Sequence, residues 1–512
     1  MDGTTDAHDD WGPFGRPLFD DPGMQWLKRV GVVDVGSNSV RLVIFDGAAR
    51  SPAYFYNEKI MAGLGVGVAE TGRLNPEGRA RALAALQRFQ MLADGFDMAP
   101  LTAVATAAVR EAAAGADFCA EVKHATGLTL HVIDGAEEAR LSAQGVLLGW
   151  PGATGTVCDM GGSSMELATL TGGRIGACMT SPLGPLRLGA VKSRKARKAQ
   201  IREVVEAMRG RLGPRQDRLY LVGGSWRAVA RLDLERRGYP LHVLHEYRMT
   251  ATSVRETLNW AAGYSTEELS AMTGTSVARL SLVPLAGEVL RQLVRALKPR
   301  EIAVSSYGLR EGLLFEQMPE ALRRRDPLIE ACRFAEAKDA RRPGFGKALN
   351  KFIAPLFRNA PEGRKRVIKA ACLLHDVSWR AHPDYRHEVC FDNVTRASLG
   401  GLTHPARVFL GLALLHRYTN KREGSRFEPI FSLLPDKDIR QAEVLGKAMR
   451  LGSMLSADAP ALMAKIKWFP VKRRLELHVP GASAALFGEV ARARLASLAE
   501  SLQAEAEVIV RG

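Results

Sequence analysis

The sequence predicts an α/β protein of two related lobes followed by a mostly helical domain. Three observations carry this. An apolar strand ending in Asp runs through a Gly turn with hydroxyls at Val32-Val33-Asp34-Val35-Gly36-Ser37-Asn38-Ser39, and the pattern recurs at Val157-Cys158-Asp159-Met160-Gly161-Gly162-Ser163-Ser164. Strand-like and helix-like stretches alternate up to residue 318, as packed α/β layers require. Beyond Pro319 the pattern turns helical, and strand-like runs return only near the end. At 512 residues the chain is long enough for more than one domain.

The elements follow in order. Residues 1–28 are expected as a flexible tail; 1–23 are acidic and rich in Gly and Pro, without the apolar centre of a signal peptide. A first lobe over 29–140 has strands at 30–35 and 40–45 on either side of the first turn. It continues with an amphipathic helix at 76–93, a strand at 101–105, a helix at 118–126 and a strand at 128–133. A helix over 137–148 then leads into the second lobe, 141–318, which repeats the scheme from Gly155. Strands at 165–170, 219–222 and 301–305 and a helix at 281–297 belong to it. The remainder, 319–512, has apolar helices at 367–374 and 407–415 and short strands at 464–469, 474–479 and 507–510.

Composition bounds the function. Hydrophobic residues make up 46%, enough for substantial cores and too many for global disorder. No apolar run approaches membrane-spanning length, so no membrane partner is expected. Six cysteines at irregular spacing, without a Cys-x-x-Cys pair, read as reduced thiols of a cytoplasmic protein. The net charge of +16 points to a polyanionic partner. It gathers in clusters, densest at Lys192-Ser193-Arg194-Lys195-Ala196-Arg197-Lys198, with others at Arg323-Arg324-Arg325, Arg341-Arg342, Arg364-Lys365-Arg366 and Lys472-Arg473-Arg474. The chain has no RNA- or DNA-reading motif, and nucleic acid is not the expected partner.

The doubled turn suggests the chemistry. Gly permits positive φ and close backbone approach, and successive free N–H groups form an anion cradle. An Asp at the strand end cannot bind phosphate itself, but it can hold Mg²⁺, which takes one or two carboxylates beside phosphate oxygens and water. Two such hairpins imply two half-domains whose tips face a shared cleft for phosphate and a hard metal ion.

The pattern resembles the exopolyphosphatase / guanosine pentaphosphate phosphatase (Ppx/GppA) family. Beside the two turns, the resemblance rests on Glu70-Thr71-Gly72-Arg73-Leu74, on Ala105-Thr106-Ala107-Ala108-Val109-Arg110-Glu111-Ala112 and on Gly135-Ala136-Glu137-Glu138-Ala139-Arg140-Leu141. Leu221-Val222-Gly223-Gly224-Ser225 and Ser306-Tyr307-Gly308-Leu309-Arg310-Glu311-Gly312 complete it in family order. The resemblance implies the two-lobed actin, sugar-kinase and heat-shock-ATPase fold, which is ribonuclease H-like. It also implies hydrolysis of terminal phosphoanhydride bonds and a homodimer. Where the family often has a third consecutive glycine in the second turn, this chain has Ser163, whose β-carbon is expected to restrict φ and narrow the loop.

Roles follow from the resemblance. Glu138 matches the second Glu of its motif and is the expected base that activates water. On the residues alone Glu137 is nearly as good, since adjacent helix positions diverge by about 100° and only one can face a cleft. Asp159 and Glu166 are the expected ligands of Mg²⁺ or Mn²⁺, with Asp34 joining them or orienting the metal's water. Gly36, Ser37, Asn38, Ser39, Gly161, Gly162, Ser163 and Ser164 are expected to hold terminal phosphates, together with Gly223, Gly224 and Ser225. Arg110 is expected to supply a fixed cation. Inorganic polyphosphate is the favoured substrate, because a long chain uses more cationic surface. Guanosine pentaphosphate is the alternative, alone or as a second activity. A nucleotide-dependent kinase or ATPase of the same fold, or a non-enzymatic polyanion binder, is weaker; the second leaves the four carboxylates without purpose.

In the last domain His375-Asp376 ends an apolar helix and resembles the signature of HD-type metal phosphohydrolases, with His382, His387, His404 and His416 nearby. No His lies between His245 and His375 to supply the upstream ligand such a site needs. A structural or substrate-guiding role is therefore expected for this HD-like domain.

Overall fold

The structure is a computed structural model. It describes residues 29–511 apart from 47–49, 52, 97, 99, 214 and 457–459, so the expected tail lies outside the described residues. The chain separates into two units, with the division between Pro327 and Leu328. The segment 319–327 belongs to the first: Arg323 Nε donates to the Met318 carbonyl (2.8 Å), and Arg50 Nε donates to the Arg323 carbonyl (3.0 Å).

The α/β unit contains two sheets of one design. In the first, β1 (Val30–Val35), β2 (Val40–Phe45), β3 (Tyr54–Ile60), β4 (Thr102–Ala105) and β5 (Leu130–Val132) lie in the order β3-β2-β1-β4-β5. In the second, β6 (Gly155–Met160), β7 (Met165–Thr171), β8 (Arg174–Ser181), β9 (Arg218–Val222), β10 (Arg248–Met249) and β11 (Glu301–Val304) lie in the order β10-β11-β9-β6-β7-β8. Each sheet joins an antiparallel three-strand meander to parallel strands reached through helical crossovers. Removing the edge strand β10 makes the two orders identical, so the duplication seen in the turns extends to the whole lobe. The burial of β1, β2, β6 and β7 is nearly continuous, as expected of strands covered on both faces.

The meander edges β3 and β8 are additional to the strands expected from sequence. β3 reads Tyr-Phe-Tyr-Asn-Glu-Lys-Ile and is exposed at alternate positions. Its charges suit an unpaired edge, and they also hide the strand from a search for apolar runs.

Helix Gly135–Gly149 passes through the expected 140/141 lobe boundary without a break. Asp134 caps it, accepting a hydrogen bond from the Glu137 amide (2.7 Å). It crosses helix Leu309–Gln317 backbone to backbone: a β-carbon at Gly312 would fall on the Leu141 carbonyl, and one at Gly145 would meet the Gly308 backbone. Because nothing there can yield, Gly312→Ala is expected to cost about 1–3 kcal/mol of stability, read as a lowered urea midpoint.

The second unit is mostly helical. Helices Glu362–Leu374, His404–Tyr418 and Asp436–Leu455 form its centre, and β12 (Lys465–Phe469), β13 (Arg474–Pro480) and β14 (Glu505–Arg511) make a small sheet in that order. Among the described residues no helix is long and apolar enough to cross a membrane.

Candidate active site

The two turns are closed alike. The Gly36 amide donates to the Ser39 carbonyl (3.0 Å), and the Gly161 amide donates to the Ser164 carbonyl (3.1 Å). They also approach each other: a β-carbon at Gly162 would stand 3.6 Å from Ser37 Cβ and 3.8 Å from Asn38 Cβ. Gly36, Gly161 and Gly162 do not use positive φ, one of the two properties expected of them; the other, close approach, is seen at Gly162, whereas a β-carbon at Gly36 or Gly161 would meet only ordinary contacts. Ser163 likewise has no positive φ, so the serine in place of the usual third glycine is unstrained. The left-handed residue is Gly223, at φ 111°. A β-carbon there would lie 2.6 Å from the Met160 carbonyl and 3.0 Å from Asp159 Oδ1. Gly223 thus brings the start of helix Gly224–Arg236, with buried Ser225, beside Asp159.

Three carboxylates meet on this floor. Asp159 and Glu166 are register partners on β6 and β7, so their side chains leave the sheet on the same face. Glu138 enters from helix Gly135–Gly149 and is 8% exposed. Its neighbour one turn along, Ser142, donates to Asp159 Oδ2. Thr180 Oγ1 donates to Glu166 Oε1 (2.9 Å). The Oε2 atoms of Glu138 and Glu166 are buried without a hydrogen bond.

Burial and the nearby charges of Glu166 and Asp159 push the Glu138 carboxyl well above its usual range, against the pull of Arg110. Glu166 is pushed up to about 8 by burial and by Asp159, with Ser164 and Thr180 opposing. Asp159 is raised by burial, against its bond from Ser142. Glu137 lies outside this group, since both its oxygens accept from Arg140 (2.7 and 2.6 Å).

Arg110 Nη1 donates to the Ile133 carbonyl (2.7 Å) and stands 3.6 Å from Glu138 Oε2. The structure therefore couples it to the expected base. Asp34 has one oxygen occupied: Arg310 Nη1 donates to its Oδ2 (2.8 Å). Asp159 and Glu166 are hard oxygen donors, and one Glu166 oxygen has no hydrogen bond. Among the described residues no three His, Cys, Asp or Glu side chains form a closed metal cage. Two carboxylates are the number of protein ligands that Mg²⁺ ordinarily takes.

A cationic half of the site was missed from sequence. Arg41 is the register partner of Asp34, as Glu166 is of Asp159. Repeat spacing alone marks it, because each residue stands seven places beyond its Asp. Burial and the neighbouring Arg310 lower the Arg41 guanidinium to about 10. Lys59 on β3 is lowered by burial and by the charges of Arg279, Arg41 and Arg310. Arg227, on helix Gly224–Arg236, is spent on the carbonyls of Ser305 (3.1 Å) and Ser306 (2.9 Å). Arg41, Lys59, Arg279 and Arg310 thus share one electrostatic neighbourhood next to the carboxylates, suited to a polyanion.

In the helical unit, both oxygens of Asp376 accept from Arg341 (2.8 and 2.7 Å). His375 Nδ1 lies 2.9 Å from the Cys372 carbonyl, and burial lowers the imidazole to about 4. The HD-like pair is held by protein groups in this structure.

Comparison with known proteins identifies relatives of the chain. The profile of the Ppx/GppA phosphatase family matches residues 43–321, and that of the exopolyphosphatase C-terminal domain matches 350–509. Exopolyphosphatase 2 of Mycobacterium tuberculosis is 28% identical over 312 residues, 56% of this chain and 98% of its own length. The crystal structure of the Aquifex aeolicus member of the Ppx/GppA family superimposes with a TM-score of 0.50 at 25% identity, over 57% of this chain and 97% of that one. An exopolyphosphatase from Cytophaga hutchinsonii gives 0.52 at 24% identity, over 57% and 98%.

Proposed function

The chain belongs to the Ppx/GppA phosphatase family, and from that premise we propose that it is an exopolyphosphatase releasing orthophosphate from the ends of inorganic polyphosphate. The observation that carries the reading is the set Glu138, Asp159 and Glu166, the two glutamates buried, facing a turn pair, with Arg41, Lys59, Arg279 and Arg310 beside it. Carboxylates in a polyanion site repel the ligand unless a cation is bound with it, so the two halves make sense together.

In this reading the turn amides and hydroxyls orient the terminal phosphoryl group. Glu138 accepts a proton from the water that attacks the terminal phosphorus, the bridging P–O bond breaks, and the shortened chain leaves as orthophosphate forms. Arg110 holds Glu138 in place. Asp34 fixes Arg310 for phosphate contact. Asp159 and Glu166 would hold a Mg²⁺ or Mn²⁺ ion, which would neutralise phosphoryl charge and offset the repulsion among the three acids.

The test is orthophosphate release by the purified protein, with and without Mg²⁺, on long polyphosphate, guanosine pentaphosphate and ATP in parallel. Metal-dependent release favouring polyphosphate is the expected result. Preference for guanosine pentaphosphate would move the substrate assignment, and inactivity on all three would overturn the reading.

The raised carboxyls add a pH expectation. A metal must displace protons from them, so apparent Mg²⁺ affinity should tighten as pH rises towards about 8, where Glu166 ionises. The expected slope is about tenfold per pH unit for each proton displaced, read by calorimetric Mg²⁺ titration. A flat profile between pH 6 and 8 would remove Glu166 from the ligand set.

A further inference from the structure

We infer that Glu311 sets how tightly the cationic half of the site grips phosphate. It is a buried carboxylate among Arg41, Arg227 and Arg310, bonded to none of them, and its charge keeps their pull on a phosphate chain weak enough for turnover. This role rests on the function proposed above and adds an affinity-setting residue to it.

Glu311 lies in the first turn of helix Leu309–Gln317 and is 1% exposed. Both its oxygens take neutral donors. The Gly308 amide donates to Oε2 (2.7 Å), an ordinary cap from the third helical position. The Tyr54 hydroxyl, from the edge strand β3, donates to Oε1 (2.8 Å). The cap accounts for one oxygen. The second bond fixes the carboxylate without neutralising it, and among the described residues Glu311 forms no ion pair.

Three arginines stand around it. Arg310, its neighbour in the helix, pairs with Asp34. Arg227 donates to the Ser305 and Ser306 carbonyls, in the loop that leads to Gly308. Arg41 is the register partner of Asp34, and its Nε donates to the neutral Asn57 Oδ1 (2.8 Å). Burial and Arg310 depress the guanidiniums of Arg41 and Arg227, and Glu311 opposes the fall in both. At Arg310 burial also depresses, but Glu311 and Asp34 together hold the group above its usual value.

A carboxylate beside a polyanion repels it. Asp159 and Glu166 can reverse that repulsion by holding a metal ion, but Glu311 has both oxygens occupied and cannot. Its charge therefore lowers affinity. An enzyme that must let go of a shortened chain gains from this, because gripping substrate and transition state equally tightly does not raise kcat.

The experiment compares the wild type, Glu311→Gln and the paired variant Arg227→Gln/Glu311→Gln. Methylenediphosphonate, which cannot be hydrolysed, is titrated calorimetrically at constant Mg²⁺, beside kinetics on long polyphosphate. In Glu311→Gln the amide oxygen can accept from Gly308 and the amide N–H can donate to the Tyr54 hydroxyl, so charge alone is lost. This variant should bind the probe about tenfold more tightly, the order expected of one unit charge acting across a partly buried site. KM should fall by a like factor with no rise in kcat. The paired variant removes one charge of each sign and keeps the test open if Glu311→Gln folds poorly; its affinity should return to within about threefold of the wild type. Weaker binding or a raised KM in Glu311→Gln would overturn the role and leave Glu311 a helix cap. Unchanged affinity in that variant would overturn it too, as would a paired variant that binds far more weakly than the wild type. A wild type that neither binds the probe nor releases phosphate would instead overturn the function proposed above, and this role with it.

Discussion

Replacing Glu138 by Gln is expected to cut kcat for phosphate release by about 10³-fold while leaving substrate affinity near that of the wild type. Gln keeps the size and removes the proton acceptor. Stability should not suffer, because the substitution also removes a buried charge that Glu166 and Asp159 repel. The loss is therefore chemical, and a circular-dichroism melt beside the kinetic assay separates it from misfolding. Glu137→Gln is the control. Glu137 is committed to Arg140 at the rim of the helix, so its variant should retain kcat of the same order as the wild type. An active Glu138→Gln enzyme would transfer the role to another acid.

Glu166→Gln separates stability from function in the opposite direction. The folded carboxyl is raised from 4.5 to about 8. An acid raised on folding holds its proton more tightly in the folded state, so its contribution is most favourable below pH 4.5. That contribution is lost as pH climbs to about 8 and is constant above. Without divalent metal, the wild-type Tm should fall over this window. Glu166→Gln should flatten that slope, raise Tm at pH 8, and require at least about tenfold more Mg²⁺ for whatever activity remains. A variant with the wild-type pH slope would show that Glu166 titrates elsewhere.

The acidic half of the site was legible because its residues sit at local punctuation. Asp34 and Asp159 end apolar strands at Gly turns, and Glu137-Glu138 open a helix behind an Asp cap. β1, β2 and β6 could be placed for the same reason. The choice between Glu137 and Glu138 was not local. It depends on which helix face meets β6 and β7; the structure buries Glu138 on that face and pairs Glu137 with Arg140. The cationic half was less accessible. Arg310 reaches Asp34 from the far end of the α/β unit, and Lys59 lies on an edge strand whose polar residues resemble a loop. The positive φ expected of the turn glycines was also misplaced. Spacing shows where glycine occurs, but the purpose of each depends on the neighbour it meets, as Gly162 meets the opposite turn.

The Arg41 and Glu166 pairing has a consequence for direction. The lobes share a strand order and a turn, and a perfectly two-fold cleft would present the same face to a ligand entering either way round. One exchange at equivalent positions, Arg in one copy and Glu in the other, removes that ambiguity. The duplicated scaffold acquires a head and a tail: under the proposed function, the metal-bearing side receives the last phosphate and the cationic side grips the links behind it. A chain seated in that polarity would present its last phosphate to the metal-bearing side, so the broken symmetry would favour cleavage at the end over cleavage at internal bonds.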